Sequence, residues 1–176
     1  MKLVKLTIDL ETEFNNYINQ WKEAGESIVP SCLNQEYDSF AELVKIFDDN
    51  SKGINLLKGY IPATAYFLID DDRTIIGCLQ IRHELNDYLY KFGGHIGYGI
   101  APNKRGKGYG KKMLELALPI AKELGIEEVL ITCKKMNMAS SGVMKANGAV
   151  YINDALDDKE DSPTFGILFE RYKILL

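Results

Sequence analysis

Seven of the chain's 15 glycines fall between Gly93 and Gly110, and the last of them punctuate Gly99-Ile-Ala-Pro-Asn-Lys-Arg-Gly-Lys-Gly-Tyr-Gly110. An apolar run precedes this stretch and a strongly amphipathic segment follows it. The order therefore reads strand, glycine turn, helix. The first N–H groups of a helix have no partner inside it, and the macrodipole places partial positive charge there. Glycines, lacking Cβ, let a ligand approach those donors closely. Lys104, Arg105, Lys107, Lys111 and Lys112 crowd the same turn. A turn of this kind seats a phosphate or pyrophosphate. The competing reading is that the glycines serve chain geometry alone, as they often do where helices begin and end.

The basic turn is local. The chain has 21 Lys+Arg against 25 Asp+Glu, a net charge of −4. That balance argues against general nucleic-acid binding, which needs a broad basic face. A length of 176 residues, 46% of them hydrophobic, suits one domain with a sizeable core. Cys32, Cys78 and Cys133 are odd in number and widely spaced. They fit neither a metal motif nor a disulfide framework, and read as reduced thiols of a cytoplasmic protein. The start is interrupted by charge too early for a signal peptide. No apolar run approaches the ~20 residues of a membrane span. We expect no metal, no nucleic acid and no membrane among the partners.

Periodicity predicts a strand over Lys2–Ile8, a helix over Asp9–Ala24 capped by Thr12 or Asp9, and a second helix over Ser39–Phe47. The polar segment 48–59 reads as irregular. Two β-rich runs, Thr64–Ile69 and Ile75–Ile81, flank the turn at residues 70–73 and form a hairpin. A polar connection, Arg82–Lys91, leads to a strand over Gly94–Ile100. A helix over Gly108–Leu124 contains Pro119, where a bend is expected. Strands over Val129–Cys133, Val150–Ile152 and Phe165–Leu176, with a helix over Asn137–Ala146, complete the chain. The architecture is α/β: a mixed sheet in which antiparallel N-terminal strands lead into a parallel, right-handed βαβ crossover, with helices on both faces. One domain spans 1–176, with the N-terminal strand and helices in 1–62 and the core that carries the glycine turn in 63–176.

Neither common phosphate motif is present. Lys107 is followed by Gly108 where a Walker loop needs Ser or Thr. Gly97 and Gly99 have Pro102 where a Rossmann turn needs its third glycine.

The segment Ile100–Gly110 instead resembles the acetyl-CoA motif of the GNAT superfamily of acyltransferases, with Arg105, Gly108 and Gly110 filling [RQ]-x-x-G-x-[GA]. Asn137, Ser140 and Gly148 match that family's second motif at the right distance downstream. Leu85-Asn86-Asp87 and Gly93–Tyr98 are similar to a little-characterised bacterial subgroup. The resemblance implies a GNAT-like fold with acetyl-CoA as co-substrate. It implies the pyrophosphate on the N–H groups of Arg105, Gly106, Lys107, Gly108, Tyr109 and Gly110, and Lys104, Lys107 or Lys111 on the outer phosphates. The pantetheine arm would pair with the strand end at Tyr98–Ala101, Ile100 and Ala101 included. A bulge there would splay the strands, and its free N–H would hold the thioester carbonyl. Asn137 and Ser140 would touch the arm, although Asn137 is also a good helix N-cap.

The implied reaction is direct attack of a primary amine on the acetyl thioester. His95 is a base candidate beside Gly94, where the family commonly places one, although strand alternation turns His95 to the opposite face unless a bulge shifts the register. Glu84 and Asp87 are loop alternatives. The family's usual Tyr general acid falls at Met144, which leaves Tyr98, Tyr151 or solvent to substitute. Cys133 reads as core or cleft lining. The acceptor is a small-molecule or peptide amine, and the acidic segment 154–161 is a candidate attractor for it. Monomer and homodimer are both open. Met144 and Gly94 also motivate an alternative, an acyl-CoA-binding sensor without turnover.

Overall fold

In the computed structural model, which describes residues 1–176, the chain opens with β1 (Lys2–Val4), a short 3₁₀ turn and α1 (Glu11–Glu23). α1 buries Phe14, Tyr17 and Trp21 on one stripe. Each contributes about 1.5–3 kcal/mol by leaving water. α2 (Phe40–Lys52) runs a turn and a half past the expected end. Its added residues are polar because they face solvent. Lys45–Asp49 and Lys52–Asp48 pair one turn apart, and Gly53 closes the helix at φ 72. At its start, Ser39 Oγ accepts from the Glu42 amide at 3.2 Å and the Glu42 carboxylate accepts from the Asp38 amide at 2.8 Å. This reciprocal cap is worth about 1 kcal/mol.

The hairpin forms as expected: β2 (Ala63–Ile69) pairs with β3 (Ile75–Arg82). A π-helical turn, Leu89–Gly93, then leads into β4 (Ile96–Ile100). After the glycine turn come α3 (Tyr109–Glu123), β5 (Glu128–Lys134), α4 (Met138–Ala146), β6 (Val150–Leu156) and β7 (Leu168–Leu175). β6 is longer than expected and takes in Asn153 and Asp154, which pair across to Arg171 and Glu170.

The strands make two antiparallel sheets, ordered β1-β2-β3-β4 and β5-β7-β6. The expected parallel crossover from β4 to β5 is not found as a hydrogen-bonded pair. The one bridge to β5, Gly94 to Ile131, lies just before β4 begins. The reason is local. Gly94 has φ 65, and a Cβ there would lie 2.6 Å from the Leu130 carbonyl and 2.9 Å from Ile131 Cα. His95 N–H donates to the same Leu130 carbonyl at 2.7 Å. The strands are pinned at this point and share no ladder beyond it. The expected bulge in β4 is also absent: its register with β3 runs unshifted from Gly77↔Ile100 to Ile81↔Ile96.

The first sheet carries a hydrophobic cluster on each face. One unites α1 and α2 with Ala65, Phe67 and Cys78. The other unites α3 and α4 with Leu79, Ile81, Ile96, Ile131 and Tyr172.

Candidate functional site

β4 ends at Ile100, and residues 101–108 turn into α3 around Gly106 (φ 74) and Gly108 (φ 79). A Cβ on either glycine would meet nothing within 4 Å. These glycines therefore set backbone direction rather than relieve crowding, and the space before them is open. α3 has no side-chain N-cap, and its first backbone bond comes from the Lys112 amide to the Gly108 carbonyl. Six successive amides, Gly106 to Lys111, have no hydrogen-bond partner in the protein. Lys104, Lys107 and Lys111 form no ion pair. The turn is thus an anion seat of unpaired N–H donors at a helix start, ringed by free cations.

The seat opens into a cavity of about 680 Å³, a volume suited to a cofactor. Its walls include Tyr98, Gly99 and Ile100 of β4, the turn, and Asn137, Ser140 and Val143 of α4. Trp21, Glu26 and Val29 close the far side. Gly110 lets α3 approach α4, since a Cβ there would stand 3.1 Å from Val143. Asn147 Nδ2 fastens the pair by donating to the Lys111 carbonyl at 3.2 Å and the Val143 carbonyl at 2.9 Å.

Along β4 the hydrogen-bond phase is fixed at both ends. The Arg82 amide donates to the His95 carbonyl at 2.8 Å, and the Ala101 amide to the Ile76 carbonyl at 3.0 Å. By antiparallel alternation, Gly97 and Gly99 face β3 while Tyr98 and Ile100 turn their backbone groups outward. The outward edge borders the cavity, so the Tyr98 and Ile100 amides are free to pair with an extended amide ligand.

The structure gathers Ile100, Arg105, Gly106, Gly108, Tyr109, Gly110, Lys111, Asn137, Ser140 and Tyr98 around one cavity. Lys107 lies on the exposed turn, and Ala101 is fully buried beneath it. The unpaired amides begin one residue later than expected, because the Arg105 amide bonds weakly to the Pro102 carbonyl at 3.5 Å. The Arg105 side chain is also committed. Its Nε donates to the Ile100 carbonyl at 3.1 Å, its two Nη atoms grip Glu26 at 3.0 and 2.8 Å, and its plane lies 5.1 Å over the Trp21 ring. Asn137 caps α4, its Oδ1 accepting from the Ser140 amide at 3.1 Å, while its Nδ2 carries no bond.

Tyr98 Oη lies 2.9 Å from Ser140 Oγ and 3.2 Å from the Ser140 carbonyl. Burial, partly offset by the Ser140 bond, pushes the phenol up to about 12, so it holds its proton. Burial first, and Glu170 second, raise the Cys133 thiol to about 11, which removes thiolate character. Met144 is fully buried in the second cluster and fills core rather than facing the cavity.

His95 and Glu84 are placed elsewhere. His95 Nδ1 accepts from the Leu130 amide at 2.9 Å, so the imidazole belongs to the pin between the sheets. Burial, reinforced by the charge of Arg82, lowers its pKa below the usual histidine value. Glu84 is exposed and outside the cavity. The acidic segment is largely internal business. Asp154 binds Lys135 at 2.6 Å and Tyr151 at 3.0 Å, and buried Asp157 accepts from the Ser162 and Thr164 hydroxyls. Sequence reasoning missed Trp21, Glu26 and Val29. Glu26 meets Arg105 across 79 residues, and no local spacing signals such a pair.

A family model for the acetyltransferase (GNAT) domain matches residues 10–150. No curated protein sequence matches. Among solved structures, a spermidine N-acetyltransferase SpeG mutant from Vibrio cholerae is 18% identical, with a TM-score of 0.65 over 99% of this chain and 95% of that one. A ribosomal-protein-S5-alanine acetyltransferase from Vibrio fischeri is 14% identical, with a TM-score of 0.67 over 98% and 91%. The microcin C7 self-immunity acetyltransferase MccE, in complex with acetyl-CoA and AMP, is 19% identical, with a TM-score of 0.67 over 99% and 91%. At these identities the likeness is one of fold.

Proposed function

The chain belongs to the GNAT acetyltransferase family, and from that premise we propose that it moves the acetyl group of acetyl-CoA directly to a primary amine at the cavity beside β4. The observation that carries this reading is the run of six unpaired amides, Gly106 to Lys111, opening into that cavity. The pyrophosphate takes those donors, and Lys104, Lys107 and Lys111 meet the outer phosphates. The pantetheine amides lie along the outward edge of β4, with Asn137 Nδ2 and Ser140 on the opposite wall. The Tyr98 or Ile100 amide donates to the thioester carbonyl, a contribution of about 10²–10³ in rate.

The amine nitrogen bonds to the acetyl carbon as the carbon–sulfur bond breaks; the departing sulfur takes the Tyr98 Oη proton, and the proton shed by the new amide nitrogen returns to Tyr98 through solvent. Ser140 keeps that hydroxyl aimed. Glu26 is the one carboxylate in the cavity wall, and Arg105 holds it. The attacking species is therefore the fraction of free amine present in solution, about one part in a thousand at pH 7 for a pKa near 10. Three buried free thiols fit action in the cytoplasm. No helix is long and apolar enough to cross a membrane.

Calorimetry with acetyl-CoA, ATP and NAD, joined to thiol release against a panel of amines, tests the proposal. Selective acetyl-CoA binding with acceptor-dependent thiol release is expected. Binding without any such release would instead support the sensor.

A further inference from the structure

Arg82 ends β3 on the face that carries Cys78 and the α1–α2 layer. Its side chain shares that face with Gly97 and Gly99 of β4, opposite to Tyr98. Nη1 donates to the carbonyls of Gly93 and Gly94 at 3.0 and 2.8 Å. Those two bonds use the Nη1 protons. Nε and Nη2 have no partner in the protein, and neither is among the buried orphan atoms, so solvent reaches them.

No carboxylate lies within 4 Å of this guanidinium. Its titratable neighbours are the Cys32 thiol, the Tyr88 phenol and the His95 imidazole. Arg73 and Arg105 each have carboxylate partners. Arg171 does not: it holds the same π turn through the Tyr90 carbonyl at 3.0 Å, and its Nε is buried without a bond. Two uncompensated guanidiniums therefore converge on one turn. A largely buried cation without a counter-ion is costly, and the side-on edge it leaves free, Nε with Nη2, is the fork that fits a carboxylate in bidentate fashion.

The edge is close to the reaction. Nη2 is 3.4 Å from the position a Gly97 Cβ would take, and Pro30 Cβ is 3.8 Å from the same point. Gly99, two residues along and about 7 Å away by strand geometry, lines the cavity. Val29 packs on the same face, its Cγ2 2.7 Å from where a Gly99 Cβ would stand, and lines the cavity too, so the cavity and the guanidinium edge flank Val29 and Pro30 along β4.

We propose that Arg82 anchors the carboxylate of the acceptor, and that the acceptor is a small amine carrying a carboxylate, amino-acid-like rather than a polyamine. This rests on the acetyl-transfer reading above. An acceptor lying across the β4–β5 gap places its amine at the Tyr98–Ile100 edge and its carboxylate on the Arg82 fork. A polycation would bring like charge to Arg82 and Arg171.

The test compares acceptors that differ by one carboxylate, lysine against cadaverine and ornithine against putrescine, in the thiol-release assay. Calorimetry with acetyl-CoA alone checks the underlying reading separately. The carboxylated member is expected to have at least a tenfold higher kcat/KM. Arg82→Gln should erase that preference through the acceptor KM and leave the acetyl-CoA Kd unchanged. Arg82→Lys, which keeps a donor for the Gly94 carbonyl, replaces it if the Gln variant does not fold, and should lose most of the preference with the bidentate fork. A preference for the diamines, equal use of both members, turnover with neither while acetyl-CoA binds, or a preference intact in the Arg82 variants would each overturn the assignment.

Discussion

Gly108 offers a test of the anion seat in which charge is separated from shape. It sits at φ 79 and ψ 0, exposed, with open space where a Cβ would project. Asp and Asn are similar in size, and both tolerate this left-handed conformation better than other residues, at a cost of about 1–2 kcal/mol or less. Gly108→Asn and Gly108→Asp therefore carry the same conformational burden and differ only in charge. A carboxylate here stands on the order of 5 Å from a phosphate seated on the neighbouring amides. Unit charges at that distance repel by about 1 kcal/mol in water and about 3 kcal/mol at an effective dielectric near 20. Because the position is exposed, roughly 1–2 kcal/mol applies, which is about 5–30-fold in Kd. Calorimetry with coenzyme A should show the Asp variant weaker than the Asn variant by that ratio at 50 mM salt. The ratio should shrink toward unity at 1 M, where the screening length falls to about 3 Å. Equal affinities for the two variants at low salt would refute the placement of the pyrophosphate on these amides.

With Tyr98 protonated up to about 12 and free amine attacking, kcat/KM should rise tenfold per pH unit from pH 7 to 9, with no alkaline fall below pH 10. A plateau at neutral pH would show a working base, and Tyr98→Phe should lower kcat by roughly 10²-fold with little change in the acetyl-CoA KM. Gly94→Ala forces φ 65 on an L residue and drives a Cβ into the Leu130 carbonyl, at about 1–2 kcal/mol for the backbone and about 1–3 kcal/mol for the overlap. The melting temperature should drop by roughly 4–20 °C in calorimetry, and an unchanged value would mean the pin carries no strain. His95 has its pKa lowered by burial, so its contribution is present above the unfolded value of about 6.5 and is lost as pH falls through the folded one. Urea unfolding should show stability declining from pH 7 to 5, with a shallower decline in His95→Asn. Matching slopes would remove the imidazole from the account.

How much of this was legible in the sequence depended on the range of the interactions. The glycine turn, the hairpin and α3 were readable because their signals are local: φ-permissive residues, alternation and a 3.6-residue stripe. The Asn137 cap was readable for the same reason. The exposed half of α2 was not, because Asp48 to Lys52 are polar and their helix rests on ion pairs and the Gly53 stop rather than on an apolar stripe. Pairing of β4 with β5 was expected to be parallel, since strand–helix–strand order makes it the default. A single positive φ at Gly94 and the His95–Leu130 bonds replace that ladder with one bridge. Glu26 meets Arg105 across 79 residues, and Trp21 under the same guanidinium lies farther still along the chain, ranges that periodicity does not carry.

The cleft and the anion seat share one physical origin. At both, the backbone withholds N–H groups from its own ladders: six at Gly106–Lys111, and two at Tyr98 and Ile100 along the outward edge of β4. An amide shielded from water without a partner costs about 1–3 kcal/mol, so a chain that leaves eight of them beside one cavity is stable there only while water or a ligand supplies acceptors. A long ligand with phosphates at one end and amides along its arm supplies them in the order the chain presents them. Such a ligand gains from every donor without asking any side chain to move. The side chains near the seat are occupied in holding shape: Arg105 on Glu26, Asn147 on two carbonyls, Asn137 Oδ1 on its helix. Selectivity for the acceptor, in the assignment proposed above, comes from the face of β4 where Val29 and Pro30 pack over the glycines at 99 and 97 and the Nε–Nη2 edge of Arg82 has no carboxylate partner.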